Sequence, residues 1–287
     1  MRKFNYFLQY LIIKMLFVIF KMLGYKKSSN LGEYIGRNIG PIFKSKKITK
    51  KNINYLQSSF DDHKKQLIIK KMWGNYGRIL SEYVFIKNFR NNSLEKNIKI
   101  NGSEYLEKIK ANNKPVVFIS GHFNNFELMA MQIEKSGIKL GAVYRPLNNF
   151  FLNRTMEEIR INYICKNQIK KGLSGIREIL TFFKTNTSIA LMIDQRVTEG
   201  IKSNLFNNLA YTTTIPAQLV KKFNCPIVPV YIERIDNINF EITINKPIIF
   251  DQKKDIPSIT QELNYWLEKM ILKNPEQWIW THNRWKL

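Results

Sequence analysis

A histidine and a carboxylate stand five positions apart in Gly121-His122-Phe123-Asn124-Asn125-Phe126-Glu127, directly after the apolar run Pro115-Val116-Val117-Phe118-Ile119-Ser120. Imidazole and carboxylate together make a general base and its orienter, the pair needed to draw a proton from an alcohol. The chain has only three histidines, so one that follows a strand-like run carries weight. A helix starting before His122 would turn Glu127 about 140° away from it, at ~100° per residue. The spacing therefore predicts His122 in a turn, Asn124 near the helix N-cap and Glu127 in the first turns, with the imidazole folded back onto the carboxylate. A helix N-terminus also disfavours imidazolium and keeps the base neutral. Taken alone, such a pair is more often a satisfied structural histidine.

The elements that must position this turn are those of an α/β sheet. From residue 98 onward, short β-branched runs alternate with helical stretches. The runs Ile98–Ile100, Val116–Ile119, Lys139–Tyr144, Ser188–Ile193, Ile227–Ile232 and Phe240–Ile244 read as strands. Between them, Ser103–Ala111, Asn125–Ser136, Phe150–Cys165, Ile176–Phe183, Thr213–Phe223 and Ile259–Leu272 read as helices. His122 then sits where a strand ends and a helix begins, the edge of an open α/β sheet where sites collect. Asp194 follows the run Ile189-Ala190-Leu191-Met192-Ile193 and is expected at the same sheet edge, or as a plain strand-end turn residue. Arg145 and Arg160 are cationic candidates for phosphate binding or site support; the bland alternative is a surface ion pair. No G-x-S-x-G elbow offers a serine nucleophile, which favours direct transfer over a covalent acyl-enzyme. His63 and His282 read as structural, and Trp278, Trp280 and Trp285 as tail packing.

Before the sheet, residues 31–60 look helical and basic. A periodic apolar face then runs from about His63 to Ile86, with Asp62 as its N-cap. These helices read as scaffold. Phe4 to Leu23 is an apolar run of twenty residues, about 30 Å as a helix and so bilayer thickness. Lys14 and Lys21 interrupt it on one face, so both a single span and an interfacial amphipathic anchor fit. A signal peptide fits less well, because the lysines break the apolar core and Gly24-Tyr25-Lys26-Lys27 is a poor cleavage site.

The formal net charge is +24, from 46 Lys and Arg against 22 Asp and Glu. Such a surface attracts acidic partners. Nucleic acid is disfavoured, because the basic residues are spread along the chain, in short clusters such as Lys44-Ser45-Lys46-Lys47, and no RNA-binding or zinc-finger signature occurs. The two cysteines, Cys165 and Cys225, give neither a metal spacing nor a disulfide framework.

Five segments occur in order: Gly121 to Glu127, Val143-Tyr144-Arg145-Pro146-Leu147-Asn148-Asn149, Asp194-Gln195, Ala210 to Ala217, and the closing Pro275-Glu276-Gln277-Trp278 through Lys286. Together they resemble the late acyltransferases of lipid A biosynthesis, the lauroyl/myristoyl transferase family, over almost the whole chain. The resemblance implies transfer of a fatty acyl chain from acyl carrier protein to a hydroxyl of an acylated disaccharide, at the cytoplasmic face of the inner membrane. It implies His122 as catalytic base, Glu127 as its partner carboxylate, and supporting roles for Arg160 and Asp194. The chain departs from the family at Asn124-Asn125-Phe126, often Gly-Asn-Trp, at Ile193, usually Pro, and at Ile215, usually Gly. None of these removes a catalytic group; they bear on which acyl chain is chosen.

The expectation is an α/β fold: a central mixed sheet flanked by helices, after a membrane-associated N-terminal helix (1–24) and a helical preface (25–92), with the acyltransferase domain at 93–287 and the boundary at Asn91-Asn92-Ser93. The partners expected are acyl carrier protein, a glycolipid acceptor and the membrane, with no nucleic acid, no cofactor and no metal. Transfer to another glycolipid or phospholipid, such as a mannosylated phosphatidylinositol, is the alternative.

Overall fold

A computed structural model describes residues 1–43, 46–56, 60–91 and 93–286. Asn92 of the expected boundary, and Lys44 and Ser45 of the basic cluster, lie outside the described residues. The chain opens with helices α1 (Arg2–Leu23), α2 (Tyr25–Phe43), α3 (Lys46–Ile53) and α4 (Asp62–Glu82), a 3-10 turn (Tyr83–Phe85) and α5 (Ile86–Asn91). Then follow β1 (Ile98–Asn101), α6 (Ser103–Asn112), β2 (Val117–Ser120), α7 (Glu127–Lys135), β3 (Leu140–Tyr144), α8 (Phe150–Tyr163) and β4 (Asn167–Lys170). The remainder comprises α9 (Leu173–Lys184), β5 (Ser188–Met192), β6 (Ile201–Leu205), β7 (Asn208–Thr212), α10 (Ile215–Phe223), β8 (Ile227–Ile235), β9 (Asn239–Ile244) and α11 (Ile256–Lys273).

Seven strands form one sheet in the order β1-β9-β8-β2-β5-β3-β4, and β6 with β7 forms a separate hairpin. Neighbours in the large sheet are parallel except β8 and β9, which run antiparallel. This is the mixed, helix-flanked α/β sheet expected. Its central strands are covered on both faces, which is why Val117–Ile119 of β2 reads as an apolar run and every residue of the strand, Ser120 included, is buried.

Three strands were not legible. Asn167–Lys170 is a short polar edge strand in which only Ile169 is buried. The β6–β7 hairpin turns on Phe206 and Asn207, both left-handed at φ 53° and 56°. That is the geometry of a tight two-residue hairpin without the glycine that usually announces it. The cap of α4 also shifts by one residue. Asp61, not Asp62, accepts the Lys64 N–H at 2.7 Å.

The preface packs tightly against itself and onto the sheet. Gly32 and Gly36 of α2 face Gly77 and Trp73 of α4 so closely that a Cβ on Gly36 would lie 2.2 Å from the Trp73 carbonyl oxygen. Deeper in, Glu82 at the end of α4 is fully buried. It accepts from Arg234 of β8 (Nη1 to Oε1 2.5 Å, Nη2 to Oε2 3.0 Å), from Asn125 Nδ2 (3.1 Å) and from Ser29 Oγ (3.2 Å). One carboxylate thus joins α2, α4, β8 and the turn that follows β2.

Candidate active site

Strand register determines what meets His122. β2 and β5 are parallel neighbours with Ser120 opposite Met192. Two residues beyond each lie His122 and Asp194, so both chains leave the sheet in step at the same carboxyl edge. The Ile193 N–H still reaches the Ser120 carbonyl at 2.9 Å, carrying the pairing into the turn.

There the His122 Nδ1 lies 2.7 Å from Asp194 Oδ1, and the His122 backbone N–H donates to Asp194 Oδ2 at 2.7 Å. The Trp278 indole N–H donates to the same Oδ2 at 2.8 Å. Burial alone would push the Asp194 carboxyl up; the His122 ring and backbone and the Trp278 indole outweigh it and hold the group down at about 2. An ionised carboxylate cannot donate, so Nδ1 carries a proton, and in the neutral ring the lone pair is on Nε2. The Gln195 amide nitrogen, 3.3 Å from Nε2, fits that tautomer as a weak donor.

The pairing of His122 with Glu127 expected from the sequence is therefore replaced by one with Asp194. Glu127 opens α7 as anticipated, but its Oε1 accepts from Arg160 Nε (2.8 Å), Arg160 Nη2 (2.5 Å) and the Tyr83 hydroxyl. The physical reason is the turn. Asn124 adopts φ 47° rather than capping the helix, and Phe126 takes the N-cap position without a side-chain bond. The Asn124 side chain bonds Gln277 instead and accepts from Arg234 Nε at 3.0 Å. A backbone bond from Asn124 N–H to the Gln277 carbonyl (2.9 Å) fastens the turn to the C-terminal tail. Imidazole and Glu127 carboxylate then take separate partners.

Arg160 projects from α8, 5.5 Å above the Tyr144 ring. Burial acts against its charge, yet Glu127 and Tyr83 outweigh it and hold the guanidinium more firmly protonated than usual. The Tyr83 hydroxyl is pushed well above its ordinary range by burial and by Glu127. The Arg160 Nη1 is buried without a hydrogen-bond partner among the described residues.

His122, Glu127, Arg145 and Arg160 line one cavity of about 510 Å³, with Gln195, Lys171 and His282 also in its lining. Asp194 lies just behind it, fully buried. Arg145 stands exposed where β3 ends, with no ion pair among the described residues. The deeper lining is apolar: Phe118, Ile119, Met129, Ala130, Ile133 and Ala142 are among its residues. A cavity with an apolar depth and an imidazole in its lining suits a long-chain acyl group and a nucleophilic hydroxyl.

Sequence reasoning missed several site residues. Tyr83 comes from the helical preface, whose sequence pattern reads as scaffold only. Trp278 packs in the tail as expected, but its N–H also holds the Asp194 carboxylate. His282 lines the cavity, and burial pushes its imidazole down to about 4, so it is neutral at pH 7. Among the described residues no group of three His, Cys, Asp or Glu side chains comes together as metal ligands.

The chain matches the family described as "Bacterial lipid A biosynthesis acyltransferase" over residues 1–287. It belongs to that family. Among similar proteins, the lipid A biosynthesis lauroyltransferase of Escherichia coli is 24% identical, the match covering 98% of this chain and 92% of the relative. A lipid A biosynthesis acyltransferase of Haemophilus influenzae is 24% identical, with 88% and 83% covered. The lipid A biosynthesis palmitoleoyltransferase of Escherichia coli is 23% identical, with 89% and 84% covered. Membership makes the chain an acyltransferase of lipid A synthesis. For a lipid A acyltransferase, α1 is also relevant: among the described residues it is the helix long and apolar enough to cross a membrane.

Proposed function

We propose that the enzyme moves a fatty acyl chain from an acyl carrier protein thioester to a hydroxyl of a lipid A precursor, at the cytoplasmic face of the inner membrane. The observation that carries this reading is the His122–Asp194 pair. Nδ1 is held by a buried carboxylate, which leaves the Nε2 lone pair at the wall of an apolar cavity.

The acyl chain occupies the apolar depth, with its thioester carbonyl near His122. Nε2 takes the proton of the acceptor hydroxyl as the oxygen attacks that carbonyl, and Asp194 stabilises the imidazolium that forms. Collapse of the tetrahedral intermediate expels the carrier thiolate, which takes the proton back from His122. The products are the ester and the free thiol. Glu127 acts through Arg160. It fixes a guanidinium that lines the chamber and stabilises negative charge developing on the substrate. Arg145 and Lys171, both exposed and both lining the cavity, suit the phosphates of the acceptor and the acidic surface of the carrier.

Purified enzyme given acyl carrier protein thioester and a tetra-acylated precursor is expected to add one chain, read by mass spectrometry. Wild-type turnover by His122→Ala would remove the base from the mechanism. Activity on a mannosylated phosphatidylinositol but not on the precursor would redirect the acceptor.

A further inference from the structure

Helix α1 is tied to the catalytic body at both ends. Near its start, Asn149 Nδ2 donates to the Tyr6 carbonyl (2.8 Å) and to Gln9 Oε1 (3.3 Å), and Phe151 packs edge-on against Phe7 at 5.4 Å. Near its end, Phe20 is buried and its carbonyl accepts from Ser28 Oγ. From Tyr6 to Phe20 the helix runs about 21 Å, at 1.5 Å per residue, in contact with the body. A span with the body outside the bilayer needs that stretch to be free of it.

The helix has three faces. Tyr6, Tyr10, Phe17 and Phe20 turn toward the protein and are at least half buried. Opposite them, Phe4, Leu8, Leu11, Met15, Val18 and Met22 are exposed, all within about 80° of arc at ~100° per residue. Lys3, Lys14 and Lys21 form a row within about 20° along one edge of that apolar face. In a spanning helix Lys14 would lie about 16 Å from Lys3, close to the bilayer midplane, where a charge is costly. With the helix flat, all three lysines lie at one depth, at the headgroups.

We infer that α1 lies in the plane of the membrane as a monotopic anchor on anionic lipid, its Phe4–Met22 face in the acyl region and its lysine row on headgroup phosphates. This rests on the membrane association proposed above and not on the acyl-transfer chemistry. It also orients the site. The loop from Arg145 to Asn148 lines the cavity, and the next residue, Asn149, is the one fastened to α1. The bilayer surface set by α1 therefore meets the cavity mouth. A lipid acceptor can keep its acyl chains in the bilayer while its hydroxyl reaches His122.

The test uses full-length protein in sealed vesicles. Cys165 and Cys225 are buried, and burial pushes both thiols up to about 12, so added cysteines dominate labelling. Lys3→Cys, Lys21→Cys and the body control Lys108→Cys are treated with a membrane-impermeant maleimide. An in-plane helix is labelled at all three from one side; labelling of Lys3→Cys only from the opposite side overturns the inference. Nitroxides at Leu8→Cys, Met15→Cys and Met22→Cys are expected at one depth. A depth profile that changes steadily over about 21 Å means a span, and absence of lipid burial at all three overturns membrane docking itself. Replacing Lys3, Lys14 and Lys21 by Gln should weaken binding to phosphatidylglycerol vesicles roughly a hundredfold and leave phosphatidylcholine binding unchanged. Equal loss on both lipids removes the anionic contact. Wild-type acyl transfer in detergent is measured separately, so failure of the anchor geometry leaves the acyl-transfer reading standing.

Discussion

Asp194→Asn is the substitution with the most specific expected outcome, because each oxygen of Asp194 has a different task. Oδ2 accepts two N–H groups, from the His122 backbone and the Trp278 indole, while Oδ1 accepts one, from His122 Nδ1. An asparagine has one acceptor and one donor end. Placing its oxygen at the Oδ2 position keeps two bonds; the reverse sets an NH2 group against two donors. The amide NH2 therefore faces Nδ1 and forces the proton onto Nε2, where the base must have a lone pair. Turnover is expected to fall by about 10³–10⁴, or ~4–5.5 kcal/mol at 1.36 kcal/mol per decade. KM should change little, since Asp194 lies behind the cavity wall. Stability should fall far less. The carboxyl is held at about 2 against its ordinary 3.8, a pH-dependent contribution on the order of 2 kcal/mol. A depressed carboxyl stabilises above its unfolded value and loses that contribution as pH falls from 3.8 through 2. In the variant that acid-labile component disappears. Nitrogen NMR of the His122 ring reads the tautomer directly, alongside turnover with acyl carrier protein thioester. Turnover within tenfold of wild type, or a lost rate with Nδ1 still protonated, would refute this account of the base.

Glu127→Ala should cost about 3–5 kcal/mol in denaturant unfolding, because it leaves buried Arg160 unpaired. It should abolish most turnover without moving the His122 tautomer; a tautomer change would restore Glu127 as the orienter of the imidazole. His282, held at about 4 against an ordinary 6.5, binds a proton more readily unfolded than folded between those values. Its contribution to stability is full above pH 6.5 and lost as pH falls toward 4, so the stability difference between wild type and His282→Gln should change between pH 7 and pH 4.5. Ala130→Leu, on the apolar lining, should shift the enzyme to shorter acyl donors, at ~0.8 kcal/mol or about fourfold in kcat/KM per methylene excluded. An unchanged chain-length profile would place the acyl group elsewhere.

The α/β alternation was readable because the central strands are buried on both faces and so are unbroken apolar runs, as in Val117–Ser120 and Ile227–Ile232. The edge strand Asn167–Lys170 has no such run, and the β6–β7 hairpin hides its turn in Phe206-Asn207. Local pattern carries a strand only where the sheet demands a uniform environment. The helical preface shows the converse. Its periodicity reveals helices, yet nothing local indicates that Tyr83 bonds Glu127 or that Glu82 meets Arg234, contacts that span 44 and 152 residues.

The site follows the same logic. His122, Glu127, Asp194, Arg160 and Arg145 could be named from sequence because each lies at or just beyond the carboxyl end of a strand, or on the helix that follows. Which carboxylate serves the imidazole could not, since that depends on sheet order. A parallel strand inserted between β2 and β3 is invisible along the chain, and β5, paired with β2 at an offset of 72 residues (Ser120 opposite Met192), is that strand. It delivers Asp194 opposite His122 from a distance of 72 residues, while Glu127, only five away, is turned aside by the left-handed Asn124. Nearness along the chain points to Glu127, whereas the imidazole bonds Asp194. Strand register sets which carboxylate meets the imidazole, and Glu127, adjacent along the chain, holds Arg160 instead.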